Sequence, residues 1–306
     1  MLVTVVSQVA VLMLMIAVGF VAAKVGIMTE EGAACCTDIA LIIATPCVIV
    51  KSFIREYSTE IMRSMLLAFG LTLLVQLVMI ILGRILLRAE KPEEQRVLRF
   101  GAVFANCGFM SLPLQQVMLG AEGTLYGSAY VVMFNLVLWS YGVYSISGDR
   151  GRISLKKLLL NPGLAGLCMG VIIFVFSIPV PSVIASAIDY IAALYTPLPM
   201  LIIGYRLSRS NVLKAVKDFR CIAAVLLRLI AFPLVSLGLL YLLGVRGTLL
   251  VSVIISVSAP VAAVTTMFST KFGGGDTELS VNMVSLSTVL SAVTMPAIVY
   301  LASIVA

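Results

Sequence analysis

The sequence predicts an all-α integral membrane protein whose ten transmembrane helices form two inverted five-helix repeats. Composition is the first indication: 61% of the 306 residues are hydrophobic and 11% are charged, against ~45–50% and ~25% in soluble domains. Mean hydropathy is +1.14, and the apolar residues fall into ten segments long enough to cross a bilayer. Two of these segments, one in each half, are interrupted by proline, which favours an inverted-repeat architecture.

The ten predicted spans divide the chain into two halves joined by a short loop. The first repeat covers residues 1–146, a cytoplasmic linker covers 147–160, and the second repeat covers 161–306. The first span has no basic residue before it, so it lacks the charged n-region of a signal peptide. Asn161-Pro162 opens the sixth span, because Asn suits an N-cap and Pro suits the first helical turn. The other spans are predicted at 2–23, 35–54, 62–83, 100–119, 124–146, 183–206, 221–244, 248–270 and 279–304.

Basic residues in the loops predict the orientation of the spans. The loops after the odd-numbered spans, including the charged loop 84–99, hold 16 Lys and Arg, and the opposite set holds 3. Cytoplasmic loops carry this excess, so the central linker is predicted inside and both termini outside, in the cell membrane. The net charge of +7 is therefore explained by the basic residues of the predicted cytoplasmic loops. Because the basic residues lie in short loops rather than in a stripe with aromatics, no nucleic-acid partner is expected.

The two interrupted spans are 100–119, which contains Pro113, and 248–270, which contains Pro260. A proline inside a helix has no N–H to donate and clashes with the carbonyl four residues before it. We therefore expect both helices to break near the middle of the bilayer. Non-helical backbone at that depth is tolerated only where protein covers it or where it lines a wet cavity, which indicates a transport site. The alternative is that either proline kinks its helix for packing alone.

A short repeated pattern relates the two halves. Asp38 to Pro46 in span two reads D-x6-T-P, and Asp189 to Pro197 in span seven reads the same, at an offset of 151 residues. Five spans per half is an odd number, so two homologous halves lie in opposite orientations. The match could also arise by chance, because the pattern is short.

Several motifs, taken together, resemble a known family. In chain order they are Pro46, Asn106-x-Gly-Phe-x-x-x-Pro113, Asn135-Leu-Val-Leu-Trp-Ser-Tyr-Gly142, Asn161-Pro162, Pro199-Met-Leu-Ile-Ile-Gly204, Arg228-x4-Pro233, Ala259-Pro260, Phe272-Gly-Gly-Gly-Asp276 and Ser287-Thr288. They cover nearly the whole chain, which resembles a bacterial member of the auxin efflux carrier family.

That resemblance implies a fold and an activity. It implies two inverted repeats that cross at the prolines of spans four and nine, and transport of an organic anion by an elevator-like alternating-access movement. It also implies a scaffold of spans 1, 2, 6 and 7 against a moving transport domain of spans 3–5 and 8–10. We further expect a homodimer formed through the scaffold. The long central loop of the plant members is replaced here by the short linker.

The predicted substrate-binding residues lie around the two prolines. A carboxylate in a dry crossing needs hydrogen-bond donors and positive potential, which amide side chains and helix N-termini supply. Asn106 and Asn135 are amides in otherwise apolar spans. Hydroxyl groups flank Pro260 at Ser258, Thr265 and Thr266. Each has a structural alternative, since amides also join neighbouring helices and Ser or Thr often bonds to its own helix.

Charged residues at membrane depth are a second set of candidates. Arg228 in span eight is a candidate counter-ion for the anion, or else a snorkelling or Asp-paired residue. The scaffold or coupling candidates are Asp38, Pro46, Lys51, Asp189 and Pro197. Snorkelling is the structural alternative for Lys51, and capping or pairing is the alternative for both aspartates.

The sequence argues against an enzyme, a cofactor or a metal site. Histidine is absent, and the six cysteines lie in or beside apolar segments without metal-ligand spacing. One enzyme alternative is an intramembrane aspartyl protease, because residues 273–276 read G-x-G-D. That chemistry needs a second aspartate facing Asp276, and the best candidate, Asp189, lacks the family's preceding Tyr. A sodium-coupled carrier of the bile-acid-transporter type is another alternative, although neither broken span contains a carboxylate.

Overall fold

The structure is a computed structural model that describes residues 2–149, 162–209, 215–272 and 274–306. Within these ranges every regular element is a helix, apart from one isolated β-bridge. Most of the predicted linker, from residue 150 onward, lies outside the described residues, as do Asn161 and Gly273. The prediction of an all-helical membrane protein is confirmed.

Seven helices in the described ranges are long and apolar enough to cross a membrane. They are Val6–Lys24, Glu30–Phe53, Thr59–Leu86, Cys107–Ser147, Ser182–Ser208, Phe219–Leu242 and Thr277–Val305. Predicted span four is divided between Pro92–Val103 and the beginning of Cys107–Ser147, while spans six and nine correspond to shorter helices. A total of ten spans, and their arrangement as repeats, stay predictions.

The α-helices are numbered here in chain order. They are α1 (Leu2–Lys24), α2 (Glu30–Asp38), α3 (Thr45–Phe53), α4 (Thr59–Leu86), α5 (Pro92–Val103), α6 (Leu112–Val137), α7 (Val143–Ser147), α8 (Pro162–Val175), α9 (Ser182–Ala193), α10 (Pro197–Ser208), α11 (Phe219–Leu226), α12 (Phe232–Leu242), α13 (Gly247–Ser258), α14 (Val264–Phe272) and α15 (Thr277–Val305). Gly120 interrupts α6 with a positive φ of 64°, at the predicted Gly-rich link between spans four and five.

The structure has four π-helical turns in the described ranges: Ile39–Ala44, Cys107–Ser111, Leu138–Gly142 and Leu227–Ala231. Each continues directly into the α-helix that follows it. Three of them lead directly into a helix whose first turn contains a proline, namely Pro46, Pro113 and Pro233. Each of these prolines would clash with the carbonyl four residues earlier, and that carbonyl lies within the wider π turn. The π turns therefore let the helices continue through these prolines.

One of the two helix breaks falls at the predicted proline, and the other does not. The first lies between Val103, where α5 ends, and Cys107, where helical structure resumes. The expected break at Pro113 is therefore wrong, because the π turn before that proline relieves the clash. The second break lies between Ser258 and Val264 and contains Pro260, as predicted. The charged segment predicted as a loop is helical from Pro92 onward.

Two close helix contacts pack the predicted scaffold spans in pairs. A Cβ atom at Gly204 of α10 would collide with the Ile16 carbonyl of α1. A Cβ atom at Gly166 of α8 would lie 2.7 Å from Cα of Pro46 in α3. Small residues allow this approach between membrane helices. Span one thus packs on span seven, and span two packs on span six, while the division into scaffold and transport domains stays a prediction.

Candidate functional site

The two helix breaks meet each other. The backbone N–H of Asn106 donates to the carbonyl oxygen of Pro260 at 2.7 Å, and Ala262 N–H donates to Phe104 O at 2.9 Å. Ala105 and Val261 form an antiparallel bridge between these bonds. Backbone groups freed from a helix inside a membrane need such partners. We call this junction the crossing, defined by residues 104–106 and 260–262.

Four helix ends converge on the crossing. The helices α5 and α13 end there with their C-termini, while the segment beginning at Cys107 and α14, beginning at Val264, present their N-termini. The first N–H groups of a helix have no carbonyl partner within that helix, and they carry about half a positive charge. Two N-termini therefore bring positive potential and N–H donors to one place.

Arg228 binds the two helix C-termini at the crossing. Its side chain is completely buried, and Nη1 donates to the carbonyl oxygens of Ala102 at 3.2 Å and Val103 at 3.3 Å, at the end of α5. Nε donates to Ala259 O at 3.1 Å, and Nη2 donates to Val257 O, at the end of α13. One guanidinium thus joins both C-termini, a role that sequence reasoning missed. Its suggested role as a counter-ion for substrate stays a prediction.

A cavity of about 480 Å³ opens beside the crossing. Its volume lies in the range of small-molecule sites, roughly 300–1,000 Å³. The wall is mostly apolar, with a few polar side chains: Asp38, Thr45, Asn106, Asn135, Tyr195 and Lys271. The wall also includes Cys107 and Val264, so both helix N-termini reach it. The prolines 113 and 260 do not line it.

The structure brings the two predicted amides together on this wall. Asn106 is 8% exposed, and its side chain hydrogen-bonds to none of the described residues, so its amide is available to a ligand. Asn135 donates from Nδ2 to Val131 O of its own helix at 2.8 Å. Both amides belong to predicted transport-domain spans, whereas Thr45 and Tyr195 belong to predicted scaffold spans. The cavity therefore lies between the two predicted domains.

The hydroxyl candidates near Pro260 lie off this wall. Ser258 is buried and donates to Ile255 O of its own helix at 3.0 Å, as the structural alternative expects. Thr265 is also buried, and its Oγ1 has no partner among the described residues. Thr266 accepts from Ser280 Oγ at 3.3 Å and faces a different cavity. Nothing in this geometry brings these hydroxyls to a ligand in the 480 Å³ cavity.

A second opening reaches the crossing from the other side of α14. It is a cavity of about 370 Å³ whose wall includes Glu30, Arg206 and Ser285. A space of about 20 Å³, room for a single water, continues from Arg206 and Ser285 to Asn106. The sequence analysis counted Arg206 only among the basic loop residues. Its position at the end of span seven could have identified it as a candidate cavity residue. Asn106 can thus be approached from two sides.

Two of the five scaffold candidates form an ion pair. Lys51 Nζ lies 2.9 Å from Asp189 Oδ1, which joins span two to span seven by an ion pair between half-exposed side chains. Asp38 instead faces the 480 Å³ cavity. Pro46 and Pro197 each occupy the first turn of a helix. Any coupling role for these residues stays a prediction.

Asp276, the aspartate of the G-x-G-D sequence, has a structural role. Its carboxylate accepts a hydrogen bond from Leu279 N–H at 3.0 Å and so caps the N-terminus of α15. Capping by Asp stabilises a helix. Helix capping thus explains an aspartate at this position without a catalytic role.

Apolar spanning helices, together with two broken helices that meet beside a cavity, define a membrane transport protein. The chain belongs to the family described as membrane transport protein, the auxin efflux carrier-like family, which it matches over residues 4–155 and 149–299. The resemblance predicted from its motifs is confirmed.

Two curated relatives cover nearly the whole chain. An uncharacterized transporter of Methanothermobacter thermautotrophicus is 23% identical over 288 residues, covering 93% of this chain and 94% of the relative. An uncharacterized transporter of Methanocaldococcus jannaschii is 24% identical over 291 residues, covering 91% of each chain. Family and relatives point to a transporter rather than an enzyme.

Proposed function

We propose that this protein is a secondary carrier that moves a small organic anion, a carboxylate, across the cell membrane by elevator-like alternating access. One observation carries the proposal: the helix N-termini at Cys107 and Val264 both reach a cavity that also presents the Asn106 amide. Anions bind at helix N-termini because N–H groups and the helix dipole both favour negative charge.

The chemistry suits a carboxylate better than a neutral or cationic solute. Each hydrogen bond from a neutral donor to a carboxylate oxygen contributes ~1.5–3 kcal/mol. The helix ends that would favour a cation, the C-termini of α5 and α13, are already bonded to Arg228. The guanidinium adds positive charge behind the crossing. The apolar part of the cavity wall would contact the carbon skeleton of the anion.

The position of the cavity fits alternating access. It extends from the crossing to Asp38, Pro162 and Lys271, which lie at those ends of spans two, six and nine that the charge count assigns to the cytoplasm. In this proposal the cavity opens toward the cytoplasm, as expected of an inward-facing state. The substrate would move with Asn106 and Asn135 as the transport domain slides along the scaffold. Ten spans, external termini and a scaffold-mediated homodimer are parts of this proposal.

The test is a transport screen with purified protein in liposomes. Radiolabelled mono- and dicarboxylates are offered singly, with and without a sodium gradient and a pH gradient. We expect uptake or exchange of at least one carboxylate and none of a matched neutral amide. Uptake that requires sodium would favour the bile-acid-transporter type of mechanism. Transport of the neutral amide at the same rate as the acid would overturn the anion proposal.

A further inference from the structure

A third cavity lies away from the crossing, at the end of α4 that the charge count places in the cytoplasm. Its volume is about 510 Å³. Three arginines and two tyrosines form much of its wall: Arg84, Arg96, Arg99, Tyr141 and Tyr144. The wall thus combines the end of α4, the first two turns of α5 and the region where predicted span five ends.

Each arginine is held in place by contacts to uncharged groups of the described residues. Arg99 donates from Nε to Leu87 O at 3.0 Å and from Nη2 to Arg84 O at 3.1 Å, so it caps the C-terminus of α4. The Arg84 guanidinium lies over the ring of Tyr141, with 5.2 Å from Cζ to the ring centroid. Arg96 donates from Nη1 to Gly274 O at 3.1 Å.

One nearby carboxylate is already paired with basic residues outside the cavity. Glu94, on the same helix, pairs with Lys91 at 3.2 Å and with Arg220 at 2.6 Å. The Glu94 carboxylate accepts hydrogen bonds from Lys91 and Arg220. Both bonds lower the pKa of the Glu94 carboxyl, the one from Lys91 more strongly. In the part of the chain that the structure describes, none of the three cavity arginines lies within ion-pair distance of a carboxylate. Three like charges around one cavity repel each other unless an anion occupies it.

We propose that this cavity is a binding site for a phosphate-bearing anion, separate from the transported substrate. Guanidinium groups present their N–H donors in a fork that matches phosphate oxygens. Basic pockets between helices on the cytoplasmic side of a membrane bind anionic lipid head groups in this way. A lipid head group and a free phosphate share the recognised chemistry. Because α5 lines this cavity and ends at the crossing, an anion bound here would stabilise α5 and so the position of the crossing.

Two matched variants test the site. Arg84→Gln removes a cavity charge whose side chain, among the described residues, makes its hydrogen bond and ring contact to Tyr141, so the fold should survive. Arg88→Gln removes the same charge four residues later, from an exposed position that does not line the cavity. The melting temperature of each purified protein is measured in detergent with phosphatidylglycerol, with phosphatidylcholine, or with inorganic phosphate against chloride at equal ionic strength. The double variant Arg84→Gln, Arg96→Gln extends the series.

We expect phosphatidylglycerol or inorganic phosphate to raise the melting temperature of the wild-type protein, and phosphatidylcholine to have little effect. The concentration needed should rise about tenfold or more in Arg84→Gln, through loss of a charge-assisted contact, and remain unchanged in Arg88→Gln. A response to phosphatidylglycerol alone identifies a lipid head group, and a response to inorganic phosphate identifies a free anion. No response in the wild-type protein, or equal weakening in both variants, would overturn the proposal.

Discussion

Arg228 explains how two helix ends can stop inside a membrane. Its guanidinium donates to carbonyls at the C-termini of both α5 and α13, and no part of the side chain is exposed. A buried charge is tolerated only with such hydrogen bonds. The sequence marked the residue as functional because of its depth. It could not name the partners, because they are backbone atoms more than a hundred residues away on one side and about thirty on the other.

Replacing Arg228 should therefore cost stability. Arg228→Met leaves several carbonyl groups buried without donors, at ~1–3 kcal/mol each, and Arg228→Lys restores only part of the set because a point charge cannot span both helix ends. We expect a lowered melting temperature in the order wild type, Lys, Met. The matched control is Arg63→Met, at an exposed arginine of α4. An Arg228→Met protein as stable as the control would contradict this role.

The amides of the cavity should affect binding rather than folding. Asn106 makes no side-chain hydrogen bond with the described residues, so Asn106→Leu should keep the fold and weaken anion binding by ~1.5–3 kcal/mol, roughly ten- to a hundredfold. Asn135→Leu should act in the same direction. Asn282→Leu, at an equally buried amide that does not line the cavity, is the control. Equal affinity in Asn106→Leu and Asn282→Leu would remove the amide from the site.

The helices show why proline positions alone could not locate the breaks. Pro46, Pro113 and Pro233 each follow a π turn and lie in continuous helices, whereas Pro260 lies in a true break. A helix breaks where another segment can accept its freed backbone groups, as residues 104–106 and 260–262 do for each other. That condition depends on contacts between distant parts of the chain. The sequence could therefore locate the two segments but not the first break.

The prolines should accordingly differ in function. Pro260→Ala adds an N–H within the break and lets the chain compete for a continuous helix, gaining ~0.5–1.5 kcal/mol per helical hydrogen bond at the expense of the crossing. We expect the folded state to persist and uptake to fall. Pro233→Ala, behind a π turn and away from the cavity, should leave uptake intact. Full uptake by Pro260→Ala would separate the crossing from transport.

The whole molecule combines features that the sequence could and could not predict. Hydropathy predicted the class, and the motifs predicted the family, because both signals are local and repeated along the chain. The ion pair between Lys51 and Asp189, and the cavity between Asn106 and Tyr195, depend on how spans far apart in sequence pack together. The sequence pattern of one span does not identify which other span packs against it.

Orientation is the first property of the whole molecule to test. In a cysteine-free background, a single cysteine replacing Lys214 should react with a membrane-impermeant thiol reagent only from the cytoplasmic side, and so should one replacing Lys156. A cysteine replacing Glu122 should react only from outside. Reaction of the Glu122 position from the cytoplasm would contradict the inverted-repeat topology.

The most direct test uses a cysteine directly after the crossing. Ala263 lines both the 480 Å³ and the 370 Å³ cavities, so Ala263→Cys in the cysteine-free background should react with a thiol reagent supplied from the cytoplasmic side. A transported carboxylate should slow that reaction, while labelling of Lys217→Cys, on the exposed surface, should not change. We expect protection that follows the affinity of each carboxylate. Labelling of Ala263→Cys at one rate, whatever carboxylate is present, would contradict this expectation.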